Sequence, residues 1–239
     1  MTQTPLEQVE AALDALLAAH DPSVMSDVEF RGARYDAGLA WVHFPAGFGG
    51  LGLRPEFNNV IEKRCREAGA AATDPTTFFM ALAGPTIVTH GSDEVKERFL
   101  RPMFTGEETW CQLFSEPGAG SDFAGLATKA VQDGDEWVVN GQKVWNTLAH
   151  LADFGMLVTR SNPDLPKHKG MTYFALDMRA PGVEVRPLRQ ITGEAEFNEV
   201  YMTDVRVPDA HRIGDVGEGW RASLTTLMNE RSAIGGGSA

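Results

Sequence analysis

Apolar residues near the start of the chain recur at helical spacing: Leu6, Val9, Leu13, Leu16 and Leu17. Thr4 stands ahead of them with Glu7 three residues on, the pairing of a capping box. Asp21-Pro22 ends that helix, because the residue before a proline is pushed out of the helical region. A second helix is predicted from Asp27 to Ala37, ending near Gly38. The segment Trp41–Leu53 is rich in glycine and aromatics and reads as a loop, too apolar to be a free linker. Helical spacing resumes over 55–69 and over 75–89, the latter carrying Phe78, Phe79, Leu82, Ile87 and Val88, and again from Asp93 to Leu100 before Pro102. The first hundred residues or so therefore read as a bundle of about five helices.

At Trp110 the period shortens towards two. Trp137–Asn140, Phe154–Val158, Met171–Leu176, Val183–Val185 and Glu199–Met202 read as short strands, with Asp133-Gly134-Asp135 and Asn140-Gly141 as turn or hairpin signals. Short strands separated by turns predict a compact β-barrel or sandwich. Beyond Val207-Pro208, Gly214, Gly217 and Gly219 lead into a helix from Arg221 to about Ile234. The expected fold class is α+β: an N-terminal helical domain over 1–109, a β-barrel or sandwich domain over 110–212, and the start of a further helical domain over 213–239.

Composition narrows the function. A hydrophobic content of 43% supplies an ordinary globular core, and a net charge of −12 leaves no basic stripe to neutralise the phosphates of a nucleic acid. An anionic ligand would have to be held by local donors rather than by a general positive field. Cys65 and Cys111 are far apart with no paired spacing, which fits a reducing compartment. The N-terminus shows no basic region followed by an apolar run, so neither a signal peptide nor a membrane span is expected, and the expected location is cytoplasmic.

Two stretches carry candidate chemistry. Trp110–Asp122 begins as an alternating apolar strand, breaks at Glu116-Pro117, and passes Gly118 and Gly120 into Ser121-Asp122. Glycine removes side-chain bulk, so such a loop can present backbone N–H groups to something lying close against it. Taken alone it reads more readily as an ordinary strand and turn. Asn140–Thr147 reads as a turn followed by an edge-like strand with Trp145 two residues before Thr147. Side chains two apart share a face of a strand, so these two could stack on and hydrogen-bond to one flat ligand. The competing reading is a core tryptophan and a surface threonine. Other chemistries fail on spacing. The histidines (His20, His43, His90, His150, His168 and His211) form no zinc-type cluster, so no metal is expected. Gly118-x-Gly120 lacks the third glycine of a dinucleotide fingerprint, with Phe123 standing there instead. Ser121 lacks the flanking glycines of a hydrolase elbow.

Together, Phe-Ser-Glu-Pro-Gly-Ala-Gly-Ser-Asp at 114–122 and Asn-Gly-Gln-Lys-Val-Trp-Asn-Thr at 140–147, followed by Val-Arg-Val-Pro, Gly-x-x-Gly-x-Gly-Trp and Asn-Glu-Arg, resemble the acyl-CoA dehydrogenase family. The resemblance covers nearly the whole chain in the same order. Asp-Met-Arg-Ala-Pro-Gly-Val and Thr-Gly-Glu-Ala-Glu-Phe-Asn-Glu-Val look most like its actinobacterial, lipid- and sterol-degrading branch. The resemblance implies FAD as cofactor and an acyl-CoA thioester as substrate. It implies contacts to the flavin from Gln112, Phe114, Ser115, Gly120, Ser121, Trp145 and Thr147. Phe114 and Ser115 would lie at the pyrimidine side, Trp145 against the isoalloxazine and Thr147 near its N5 and O4. Ser121 would contact flavin phosphate or the pantetheine of the substrate. The family's reaction removes an α-proton with a carboxylate while the β-hydrogen leaves as hydride, with an electron-transfer flavoprotein or similar acceptor and a homo- or hetero-oligomeric assembly.

The pattern breaks at the chain's end. Family members continue through a further helical domain of roughly 130–150 residues. That domain carries the usual catalytic glutamate and part of the cofactor site, which implies that this chain holds FAD weakly or not at all. A branch of the family uses a base directly before an arginine on the first helix of that domain, which makes Glu230, ahead of Arg231, the candidate base. Arg231 is the candidate substrate contact beside it. Two alternatives stay open: a non-catalytic subunit that partners a longer relative, and an oxidase or flavin-monooxygenase relative. Glu116 is expected to be a structural hydrogen-bond acceptor and Asp122 a turn or helix cap. The Lys167-His168-Lys169 cluster is read either as a solvated loop or as an attractor for CoA phosphates, and the Phe78–Leu82 helix as core that would border an acyl tail.

Overall fold

The computed structural model describes residues 3–71 and 78–235, and these fall into two compact units, Met1–Pro75 with Lys96–Glu107 and Thr76–Val95 with Glu108–Ala239. In the first unit, helix α1 (Pro5–Ala19) starts at the predicted capping box: Glu7 N–H donates to Thr4 Oγ1 at 3.3 Å and Thr4 N–H to the Glu7 carboxylate at 2.7 Å. Helix α2 (Asp27–Asp36) uses the same device with Ser26 and Glu29. Val9, Leu13 and Leu16 of α1 form one core with Phe30, Leu39 and Val42, joined by Ile61 and Cys65 of α3 (Phe57–Glu67). The glycine-rich loop after α2 folds back on itself. A Cβ on Gly50 would lie 2.0 Å from the Phe44 carbonyl oxygen, so only glycine fits there.

The second unit packs helix α6 (Gly219–Gly235) against a curled sheet of seven strands, with helix α4 (Met80–His90) against α6. The strands are β1 (Trp110–Leu113), β2 (Lys129–Asp133), β3 (Glu136–Thr147), β4 (Phe154–Arg160), β5 (Met171–Asp177), β6 (Val183–Leu188) and β7 (Phe197–Pro208). Their order is β1-β4-β2-β3-β7-β6, with β5 paired to β4. Strand β1 runs parallel to β4, and β2 meets β4 in parallel only at Lys129 opposite Arg160; the other pairs are antiparallel. Six successive residues of β4 and of β5 are buried, which is why both segments read as continuous apolar runs. Trp137 and Val139 of β3 join Leu157, Phe174, Leu176, Val200, Met202 and Val205 in the sheet's core.

The α+β order stands, with four local corrections. Asn140-Gly141 is no turn: it lies inside β3, where the pairing with β7 shifts register between Val139 and Gly141. A Cβ on Gly141 would sit 2.4 Å from Thr128 Oγ1, so the glycine serves a close approach at a bulge. The helix predicted over 75–89 runs from Met80 to His90 behind a single 3-10 turn, while 72–77 lie outside the described residues. The helix predicted to stop before Pro102 continues through it as α5 (Asp93–Thr105). Its proline sits in the last turn, where the Thr105 hydroxyl donates to the Pro102 carbonyl at 3.0 Å and helps close the helix. Asp122 makes no capping bond to the turn that follows it; its carboxylate pairs with Lys167 Nζ at 3.0 Å.

Candidate active site

Strand β1 delivers the chain into the glycine loop, and a short turn closes it: Glu116 N–H donates to Ala119 O at 2.9 Å and Ala119 N–H returns to Glu116 O at 3.1 Å. A Cβ built on Gly118 or Gly120 meets nothing within 4 Å. The protein's own packing therefore does not demand these glycines, and the space beside them is open.

Facing the loop is the second half of β3. Its register against β7 shifts again between Lys143 and Asn146, and within that irregularity Trp145 adopts φ 62°. A left-handed backbone is uncommon for a bulky residue and costs roughly 1–2 kcal/mol. The shift reverses the strand's alternation. Up to Lys143 the odd positions point inward, whereas afterwards Val144 and Asn146 are buried and the indole of Trp145 is 63% exposed. Trp145 is thus no core residue; its indole meets the ring of Phe197 edge-on, at 6.2 Å between ring centroids.

Between loop and strand lies a cleft of 360 Å³ within the second unit. Gln112, Phe114, Ser115, Gly120 and Ser121 line one side, and Trp145 and Thr147 the other. Phe79, Phe123 and Leu227 add apolar wall. Glu230 also lines the cleft and accepts a hydrogen bond from Gln112 Nε2 at 3.3 Å. Arg231, its neighbour in sequence, is exposed and does not line it. A larger cleft, of 790 Å³, holds none of these residues; its walls carry Glu94, Asp135, Asp215 and Glu218 as well as Arg212 and Arg221.

The rotation of α6, and with it the place of Glu230, is fixed by buried hydroxyls. Thr226 Oγ1 lies 2.8 Å from Thr86 Oγ1 of α4 and 3.1 Å from the Tyr173 hydroxyl of β5. All three residues are fully buried, and burial pushes the Tyr173 phenol's pKa up. Glu230 stands one turn beyond Thr226 on the same helix face.

Beneath the loop lies a pair that the motif contained but whose role the spacing did not reveal. Lys143 is 0% exposed and donates through Nζ to Glu116 Oε1 at 2.9 Å and to the Phe114 carbonyl at 3.1 Å. Glu116 also accepts from Ala127 N–H at 2.6 Å and Thr128 N–H at 2.9 Å, the structural role expected of it. Burial pushes the Lys143 ammonium down to about 8 against the pull of Glu116. Burial pushes Glu116 up, but Lys143 and the loop donors outweigh it and hold the carboxyl below its usual range. The available signal was a lysine at an inward position of an otherwise apolar strand face. Asn146 was missed likewise: its Nδ2 donates to Gln112 O at 2.8 Å and ties β3 to β1 a second time.

The Lys167–Lys169 cluster forms a 3-10 turn, with His168 against the indole of Trp220 at 4.4 Å. Among the described residues no three His, Cys, Asp or Glu side chains gather as a metal site, and no helix is long and apolar enough to cross a membrane.

Residues 7–107 match the acyl-CoA dehydrogenase N-terminal domain and residues 111–205 the acyl-CoA dehydrogenase middle domain. The chain is 48% identical to acyl-CoA dehydrogenase FadE34 of Mycobacterium tuberculosis over 85% of its length, spanning 28% of that protein. It is 42% identical to acyl-CoA dehydrogenase IpdE1 of the same organism over 82% of its length, spanning 50% of that protein. It thus spans half or less of these two curated relatives. Among solved structures, the ChsE4-ChsE5 complex from Mycobacterium tuberculosis matches with a TM-score of 0.66 and 32% identity, over 97% of this chain and 61% of that one. A Tcur3481-Tcur3483 steroid ACAD matches with a TM-score of 0.69 and 26% identity, over 98% and 64%.

Proposed function

Because the chain belongs to the acyl-CoA dehydrogenase family, we propose that its cleft takes the ring system of FAD and that Glu230 is the base in the α,β-dehydrogenation of an acyl-CoA. The observation that carries this reading is one carboxylate sharing a cleft with an exposed indole and three hydroxyls, those of Ser115, Ser121 and Thr147. The residues fit the group. A flat heteroaromatic ring needs an uncovered aromatic face, a polar edge and clear space, and Trp145, the Ser115–Thr147 rim and the open side of Gly118 and Gly120 offer these.

In this reading Trp145 orients the ring by contact, Thr147 and Ser115 hydrogen-bond its polar edge, and Ser121 reaches either its phosphate or the pantetheine arm. Phe79, Phe123 and Leu227 exclude water from the side where an acyl chain would lie. Glu230 takes the α-proton on a carboxylate oxygen, and Gln112 orients that carboxylate through its amide. Bound FAD supplies the acceptor for the β-hydrogen and its electron pair. The acyl-CoA dehydrogenases FadE34 and IpdE1 support an acyl-CoA as substrate, and the steroid ACAD among the solved structures supports a steroid acyl group on it. The two components of the ChsE4-ChsE5 complex support assembly with a second chain, and an electron-transfer flavoprotein would receive the electrons.

Titration with FAD up to millimolar concentration, followed by flavin fluorescence, should give saturable binding, and its absence would overturn the reading. Anaerobic acyl-CoA should then bleach the bound flavin. Glu230→Gln should slow that bleaching by about 10²–10⁴-fold while leaving FAD binding intact. An unchanged rate would assign the base elsewhere.

A further inference from the structure

The two walls of the cleft are cross-tied from below. Three bonds join the exit of β1 to the irregular part of β3: Asn146 Nδ2 to Gln112 O at 2.8 Å, Val144 N–H to Ser115 O at 2.9 Å, and Lys143 Nζ to Phe114 O at 3.1 Å. The first two join neutral groups. The third is made by a fully buried ammonium held in turn by Glu116, and burying such a charge is costly unless every donor finds a partner. A methylene chain in the same place would fill the volume without that cost.

The geometry points to a use for the charge: Lys143 is a positioning residue that fixes the peptide between Phe114 and Ser115, so that the Ser115 N–H faces the cleft as a donor for the polar edge of a bound flavin. In a planar trans peptide the C=O and the following N–H point in opposite directions. With the Phe114 oxygen drawn inward to Lys143 Nζ, the N–H of Ser115 is turned the other way, toward the side on which Ser115 lines the cleft. The Ser115 carbonyl is likewise withdrawn, to Val144 N–H. The rim at Phe114–Ser115 is thereby stripped of carbonyl acceptors and left with a donor, which suits a ligand presenting carbonyl oxygens or electron-rich ring nitrogens. A donor fixed before the ligand arrives favours the form in which that edge carries more negative charge, as a reduced flavin does. This inference rests on the reading of the cleft as a flavin site.

The test compares the wild-type chain with Lys143→Met/Glu116→Gln, a pair of changes that leaves neither buried charge without its partner. Circular dichroism and thermal melting report the fold, flavin fluorescence the FAD affinity, and spectroelectrochemistry at saturating FAD the midpoint potential. A folded double variant should bind FAD about tenfold or more weakly and hold it at a lower potential. A merely structural pair would leave the potential unmoved. Unchanged affinity and potential in the folded variant would overturn the inference. Should the double variant not fold, amide hydrogen exchange on the wild-type chain decides: Ser115 N–H should become protected on adding FAD, and an unprotected amide in a saturated sample sinks the idea. Failure of the wild-type chain to bind FAD at all would instead strike the flavin reading itself.

Discussion

The two halves of β3 are built differently. From Glu136 to Asn140 the strand pairs with β2 on one side and β7 on the other, and its apolar residues alternate. From Gly141 to Thr147 it keeps only β7 as a partner, shifts register within the stretch, buries a lysine and turns a tryptophan outward. The first half is held by the sheet. The second keeps β7 and is tied besides by the side chains of Lys143 and Asn146 and by the Val144 N–H, and the irregularity so held is what faces the cleft. A strand can thus be scaffold over one stretch and site over the next, and it is the break in alternation that marks the boundary.

The largest expected contrast comes from its two tryptophans, both at odd positions. Trp137 is 3% exposed, stacks obliquely on Phe174 at 5.3 Å and donates through Nε1 to Asp209 at 2.8 Å. Trp137→Ala should cost about 3–5 kcal/mol of stability in a denaturant melt. Trp145→Ala should stay within about 1 kcal/mol of wild type and instead abolish detectable FAD binding. Equal stability losses would mean that the two halves do not divide the labour as described.

Lys143→Met alone comes next. It leaves the Glu116 carboxylate buried without its cation, a change that should cost about 3–5 kcal/mol. The same pair gives a pH dependence with a definite sign. The Glu116 carboxyl is depressed in the folded chain, so its contribution is present above its ordinary value of 4.5 and is lost as pH falls through the folded value. Lys143 runs the same way in a higher window: its folded value of about 8 lies below the ordinary 10.5, so stability rises as pH climbs from 8 to 10.5. Melting curves across pH should show the acid loss in the wild-type chain and its reduction in the double variant that removes both groups. A wild-type melting temperature that does not fall below pH 4.5 would refute the first part.

Much of this was readable in the chain. The capping box at Thr4, the change of period at Trp110 and the apolar runs of β4 and β5 follow from local chemistry, and the structure follows them. The residues that meet in the cleft were legible as two motifs, because each is local in sequence. What brings the motifs together was not. Asn140-Gly141 has the chemistry of a hairpin turn, yet β7 continues alongside it, and tertiary pairing outweighed the local signal. Asp122 has the chemistry of a cap, yet a lysine distant in sequence claims its carboxylate. Lys143 looked like any charged strand residue, since its meaning lies in Glu116 and in the Phe114 carbonyl.

A smaller effect tests the first bulge of β3. Gly141→Ala would drive a Cβ to 2.4 Å from Thr128 Oγ1 and 2.7 Å from the Thr128 backbone. The expected loss is about 1–3 kcal/mol, measured by melting, with FAD binding weakened only as far as the strand shifts. A neutral substitution would show that Thr128 yields readily there and that the register shift does not depend on the glycine.

The smallest effect is the most discriminating, because its sign is unusual. At an exposed strand position alanine is ordinarily more stable than glycine, by roughly 0.5–1 kcal/mol. At Trp145 the backbone is left-handed, φ 62°, where a Cβ is penalised by roughly 1–2 kcal/mol and glycine is not. If the ties at Lys143 and Asn146 impose that conformation whatever side chain is present, the order should invert. Trp145→Gly should then be more stable than Trp145→Ala by about 0.5–1 kcal/mol. The opposite order would mean that alanine lets the backbone relax to an extended form, and that the indole's own contact with Phe197 holds the bulge open. The comparison needs no ligand and asks only whether the irregular half of β3 is built by the frame beneath it or by the residue it displays.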